Sequence, residues 1–249
     1  MPQSKKILVT GSTGGVGQAV CNELLKAGHR VTGFDRDLST GLAHSFGDDI
    51  TDRQAVLTAV AGMDAVIHLA ATPDEADFID ELIEPNVRGL YHVCDAVRQH
   101  GVPRLILASS AQVVAGHSWA QAISIEDGPH VINHYALTKL WAEQMGEMYA
   151  RVYGIEVIVA RLAWLPRDQD HAQELLASSI GVDVYLSPGD AGRFFRACIE
   201  AELVPGQFEV VFAASRAVNQ LRFDPEPARR VTGFEAQDTW PEGQSYTND

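Results

Sequence analysis

The chain has 249 residues, 46% of them hydrophobic, with 33 Asp and Glu against 19 Lys and Arg and a formal net charge of −14. That length and apolar content can fill one substantial core, so one compact unit with a small appended lobe is expected rather than two separate domains. So acidic a balance excludes a nucleic-acid surface or an anionic membrane as partner, because both select clusters of Lys and Arg.

Met1 to Lys6 is polar and leads straight into the first apolar run, without the apolar stretch of a secretion signal. No run approaches the ~18 to 20 apolar residues that span a membrane. Cys21, Cys94 and Cys198 are isolated, with neither the CxxC pairing of a zinc or redox site nor the density of a disulfide scaffold, so buried thiols in a reducing cytoplasm are expected. His117, His130 and His134 have no metal-ligand spacing, and no metal is expected.

In chain order, Ile7 to Thr10 predicts a strand and Val16 to Ala27 a helix. Arg30 to Phe34 and Arg53 to Ala61 repeat the pair, as do Ala65 to Ala70 and Asp80 to Gln99. Arg104 to Ser109, the helical Tyr135 to Tyr153 and the strand Val157 to Leu162 follow. Apolar strands alternating with helices are the mark of a parallel sheet covered on both faces, so the fold class is α/β, doubly wound and Rossmann-like. Residues 1–161 are expected to form the dinucleotide-binding core. Residues 162–249, with helical stretches at Ala172 to Ser179 and Asp190 to Glu202 and a strand at Gln207 to Ala213, are expected to form a small C-terminal substrate lobe interleaved with it. The polar tail after Trp240, with Pro241, Gly243 and Ser245, is expected to be loosely ordered.

Gly11, Gly14 and Gly17 follow the first strand and open the first helix. In that context the first permits a tight turn, the second lets backbone approach a pyrophosphate, and the third lets the helix pack closely on the sheet. The helix N-terminus then offers unpaired N–H groups to phosphates. The next strand ends at Asp35, where a carboxylate accepts from the adenosine ribose and repels a 2′-phosphate, which favours NAD over NADP. Arg36 beside it is the competing determinant, since a guanidinium accommodates that phosphate.

Tyr135 and Lys139 stand four apart at the start of a long helical pattern, so both lie on one face. A phenol titrates near pH ~10 and needs a nearby cation to accept a proton from an alcohol at neutral pH, which Lys139 and an oxidised nicotinamide supply. Ser110, at the end of the preceding strand, would bond the substrate oxygen and orient it.

With these motifs in their places, the chain resembles the short-chain dehydrogenase/reductase superfamily, in its extended NAD-dependent epimerase/dehydratase group. His68-Leu69-Ala70-Ala71 at a strand end, Asp49-Ile50, Asn86 before Gly89-Leu90-Tyr91, and Ser109-Ser110 carry the likeness with the glycines, Tyr135 and Lys139. The resemblance implies that Asp49, Ile50, Leu69, Ala70, Ala71 and Asn86 line the cofactor, with Asp49 and Ile50 near adenine, that Lys139 also holds the nicotinamide ribose, and that two copies pair through the helices Asn86 to Gln99 and Tyr135 to Tyr153. The segment Tyr185 to Asp190 and the late Gly233-Phe234 look most like uronate dehydrogenases and related sugar dehydrogenases, which oxidise an anomeric hydroxyl to a lactone.

Oxidation of a hydroxyl of a small sugar, an aldose or a uronic acid, is therefore expected. Gln112, Trp164 and Arg167 join Ser110 and Tyr135 as substrate-contacting candidates, with Arg167 the cation for a uronate carboxylate. Two other functions stay open. One is a nucleotide-sugar epimerase or dehydratase, the latter opposed by Ala111-Gln112 where an acid and base pair would be needed. The other is a dinucleotide-binding regulator without turnover.

Overall fold

The computed structural model describes residues 4–244. Seven parallel strands form one sheet in the order β3-β2-β1-β4-β5-β6-β7: β1 (Lys6–Thr10), β2 (Arg30–Asp35), β3 (His44–Gly47), β4 (Ala65–His68), β5 (Arg104–Ser110), β6 (Glu156–Leu162) and β7 (Phe208–Ala213). The expected doubly wound sheet is present. The order runs outward in both directions from β1 and β4, and the crevice at such a reversal, beyond the carboxyl ends of the strands, is where this architecture binds ligands.

The central strands read as unbroken apolar runs because both faces are covered. Over one face lie α2 (Arg53–Val60), α3 (Leu90–His100) and α4 (His134–Tyr153), enclosing Leu8, Val66, Leu105 and Val157; over the other lie α1 (Gly15–Lys26), α6 (Pro188–Glu200) and α7 (Glu226–Thr232), enclosing Ile7, Ile67, Ile106 and Phe194. Each fully buried Leu, Ile or Phe of this kind is worth about 1.5–3 kcal/mol of transfer free energy. Residues beyond Arg161 enter these layers directly, since β7 pairs with β6 and α6 packs along α1. α5 (Gln169–Ala177) and the segments around Val184 and Phe223 close a third, smaller core beside the crevice.

Five local features depart from expectation. The helix expected from Asp80 begins at Phe78 as a π-helical segment to Gly89 and becomes α3 only at Leu90. Pro85 inside that segment removes one backbone donor and displaces the preceding carbonyls, which accounts for the irregular winding. β3, an edge strand with no fully buried side chain, and the short α7 went unforeseen. β4 ends at His68, so Leu69 to Ala71 turn out over the crevice rather than continuing the strand. The tail after Trp240 is tied down as far as it is described. Trp240 packs edge-on against Tyr185 with ring centroids 5.0 Å apart, and the Tyr185 hydroxyl donates to the Glu242 carbonyl at 2.8 Å. Residues 1–3 and 245–249, including part of the polar N-terminal segment and Ser245, lie outside the described residues.

Candidate active site

β1 delivers the chain to Gly11, whose amide donates to the Phe34 carbonyl at 2.8 Å and whose φ is +71°. A Cβ at Gly11 would stand 2.7 Å from the Ala70 nitrogen, and one at Gly17 would stand 2.0 Å from the Gly11 carbonyl oxygen, so both positions require glycine. Gly14 caps α1 without any side-chain bond to the first turn. The N–H groups of that turn face a cavity of about 810 Å³ lined by Gly11, Gly14, Gly17, Leu69 and Ala71 at one end. An open helix N-terminus beside backbone stripped of side chains fits a dinucleotide pyrophosphate.

Asp35, Arg36, Asp49, Ile50, Ala70 and Asn86, also named from the sequence for the cofactor, are not among the residues that line this cavity. Asp35 accepts from the Thr13 amide at 2.9 Å and the Arg36 amide at 2.8 Å, bracing the glycine turn while each oxygen keeps a free lone pair. Asp49 Oδ1 accepts from the Thr51 amide and hydroxyl, both at 2.8 Å, and the amide bond foremost holds its carboxyl below the usual range. Ile50 is buried against Gly89. Ala70 backs Gly11. Asn86 is buried with its amide bonded to both polar backbone atoms of Thr72 and to the Thr138 hydroxyl, so it fastens the segment after β4 to α4.

At the other end of the same cavity are Ser110, Tyr135 and Lys139. β5 carries Ser110, and α4 carries Tyr135 and Lys139 one turn apart on its buried face. The Asn133 side chain caps α4 by accepting from the Ala136 amide at 2.7 Å, and the Glu75 carboxylate accepts from the Tyr135 amide at 2.8 Å. Deeper in, Glu143 of α4 grips Arg161 of β6 through two bonds of 2.9 Å and accepts the Ser109 hydroxyl at 2.6 Å. This buried pair locks α4 against the strands that end at Ser110 and Leu162. Arg161 Nη1 has no partner among the described residues.

Burial pushes the Tyr135 phenol well up, and the Asp74 carboxylate adds to the rise; its bond to Ser110 and the charge of Arg167 oppose it. Arg167, from the loop after β6, is thus a second cation near the phenol beside Lys139. Lys139 donates to the Ala108 carbonyl at 3.3 Å with its Nζ 5.5 Å from the Tyr135 ring centroid, and burial lowers its pKa to about 8. His68, buried and facing Lys139, is pushed down to about 3, first by burial and then by that ammonium, so its imidazole is neutral.

Gln112, Trp164 and Arg167 all reach the cavity. The Trp164 indole donates to His171 at 2.6 Å, Gln112 accepts from Asn133 at 2.7 Å, and Arg167 Nη2 lies 2.6 Å from Asp74 Oδ2. Sequence reasoning missed Asp74, Glu75, Asn133 and His171. Asp74 and Glu75 were signalled by their place in the loop after β4, the strand beside the reversal of strand order. Among the described residues no group of three His, Cys, Asp or Glu side chains is placed to hold a metal, and the three cysteines are free and buried.

The sequence pattern of the NAD-dependent epimerase/dehydratase family matches residues 7–166. An L-arabinose 1-dehydrogenase (NAD(P)(+)) of Haloferax volcanii is 32% identical over 215 residues, 80% of this chain and 84% of that protein. A uronate dehydrogenase of Pseudomonas putida is 34% identical over 164 residues, which span 63% of this chain and 60% of that protein. The solved structure of a mutated uronate dehydrogenase superposes with a TM-score of 0.81 at 27% identity, covering 95% of this chain and 83% of that one. The matched residues 7–166 include the glycine turn, Ser110, Tyr135 and Lys139, and the chain belongs to the NAD-dependent epimerase/dehydratase family.

Proposed function

We propose that this protein is an NAD-dependent dehydrogenase that oxidises a hydroxyl of a small sugar at C1, with Ser110, Tyr135 and Lys139 as its catalytic residues. The observation that carries this reading is a single cavity joining the glycine turn at one end to all three residues at the other. The names of the relatives, sugar dehydrogenases acting on L-arabinose and on uronates, support it.

When bound, NAD supplies the hydride acceptor and, while oxidised, a positive charge near the phenol. The first-turn amides of α1 would hold its pyrophosphate beside Leu69 and Ala71, and Asp35 would accept from the adenosine ribose and disfavour a 2′-phosphate. The Lys139 ammonium would bond the nicotinamide ribose. Ser110 and Tyr135 hold the substrate hydroxyl between their oxygens, and Tyr135, as phenolate, takes its proton as the C–H bond breaks. The free phenol lies well above its ordinary pKa, so proton removal depends on the cations that gather around it on binding. A dehydratase would need an acid and a base just after Ser110, where Ala111 and Gln112 stand.

Residues 162–249 supply the substrate side of the cavity through Trp164 and Arg167. Exposed Tyr91 on α3 and Leu137 and Trp141 on α4 suit these helices to pairing two copies. Among the described residues no helix is long and apolar enough to cross a membrane, and the free buried thiols suit a reducing cytoplasm. Tyr135→Phe tests the assignment: turnover should fall by at least ~10²-fold with NAD affinity kept, the scale for loss of a positioned proton acceptor. Turnover close to that of the unmodified protein would remove Tyr135 from the mechanism.

A further inference from the structure

We infer that the Asp74–Arg167 pair makes this site selective for neutral aldoses over uronic acids and sugar phosphates; the inference rests on the sugar dehydrogenase reading above. Asp74 is held with φ at +60°, the one non-glycine residue among those described with positive φ, a conformation that aspartate tolerates better than most residues but that still needs support from its surroundings. The support is visible. Its Oδ1 accepts from Gln112 Nε2 at 3.2 Å and its Oδ2 pairs with Arg167 Nη2 at 2.6 Å, so residues from the loops after β4, β5 and β6 meet at one carboxylate. Gln112 is itself oriented by Asn133, the cap of the catalytic helix.

The charges lining the cavity are unevenly shared. Asp74, Glu75 and Glu174 bring three carboxylates, while Lys139 and Arg167 bring two cations. Lys139 is buried beneath the phenol and bonded to Ala108. Arg167, the cation a sugar carboxylate or phosphate would need, already faces Asp74. An anionic substrate that took the remaining donors of Arg167 would share one guanidinium with the Asp74 carboxylate, two like charges side by side on half-exposed side chains, which is the repulsive element that gives specificity.

A neutral sugar meets the opposite situation. Each Asp74 oxygen has one partner and a free lone pair, so the carboxylate can accept from two neighbouring hydroxyls while Gln112 and Arg167 keep it in place. The indoles of Trp119 and Trp164 also line the cavity and offer apolar faces to the C–H side of a sugar ring.

The test compares initial rates of NADH formation from matched substrates, D-glucose with D-glucuronate and glucose 6-phosphate, and D-galactose with D-galacturonate, with L-arabinose as a further neutral aldose. The unmodified protein should favour the neutral member of each pair by at least ~10-fold in kcat/KM, and Asp74→Asn, which leaves Arg167 unpaired, should shrink that ratio ~10-fold through a lower KM for the uronate. Arg167→Ala should not create uronate activity. A preference of the unmodified protein for either uronate or for the phosphate would overturn the inference and leave the dehydrogenase reading intact. So would a ratio unchanged by Asp74→Asn. Absence of NADH with every sugar, in protein that quenches on NAD binding, would overturn both.

Discussion

Lys139 shows how one residue can link the catalytic account to stability. Its pKa lies at about 8 in the folded protein against 10.5 for an ordinary lysine, because burial disfavours the ammonium. Below about 8 both folded and unfolded chains hold the proton, and the cost of the buried charge is present in full. Between about 8 and 10.5 the unfolded chain holds more protons than the folded one, so this residue's contribution to stability rises with pH. The unmodified, cofactor-free protein should therefore gain stability relative to Lys139→Met between those values, read as urea midpoints at each end of the window. Parallel midpoints would mean that the ammonium is better solvated than its burial implies. The sequence revealed Lys139 and Tyr135 through spacing alone, because a four-residue interval fixes a shared helix face. It gave no sign that Arg167 would be a second cation near the phenol, since that depends on loops after different strands meeting.

The elements that matter most for geometry are α4, β5 and β6, held together by Glu143, Arg161 and Ser109. Glu143 and Arg161 are almost fully buried, and Arg161 also lies over the Phe212 ring with its guanidinium carbon 5.6 Å from the centroid. Removing one partner leaves an uncompensated buried charge, which typically costs about 3–5 kcal/mol. Glu143→Gln should lower the urea midpoint by a corresponding amount with an unchanged slope, and a loss below about 1 kcal/mol would mean that Arg161 finds another partner. Most elements were legible in the sequence because their apolar periods agree with their burial. Those that were not share a cause. β3 has no clean alternation, since an edge strand is made by its partner β2 rather than by its own side chains. The segment from Phe78 carries a helical pattern that Pro85 rewinds. Asn86, which the family resemblance places along the cofactor, turns out in this structure to bond Thr72 and Thr138, a role no local pattern could reveal.

At the scale of the whole molecule, the sheet order places one crevice between β1 and β4, and the glycine turn and the first turns of α4 line one cavity. The outer helices α3 and α4 leave Tyr91, Leu137 and Trp141 each 47% exposed, the apolar side chains through which two copies are proposed to pair. Light scattering should report a mass twice that of one chain, reduced to one by Trp141→Glu; a monomer at micromolar concentration would leave that face without a partner copy. The central claim is that the cavity carries a hydride from C1 of a sugar to NAD. It is tested most directly by incubating the protein with NAD and aldoses deuterated at C1 and isolating the reduced cofactor. NADH that carries the deuterium is expected, formed at a rate that collapses in Tyr135→Phe. NADH without the label, or no NADH from any aldose or uronate, would contradict that claim.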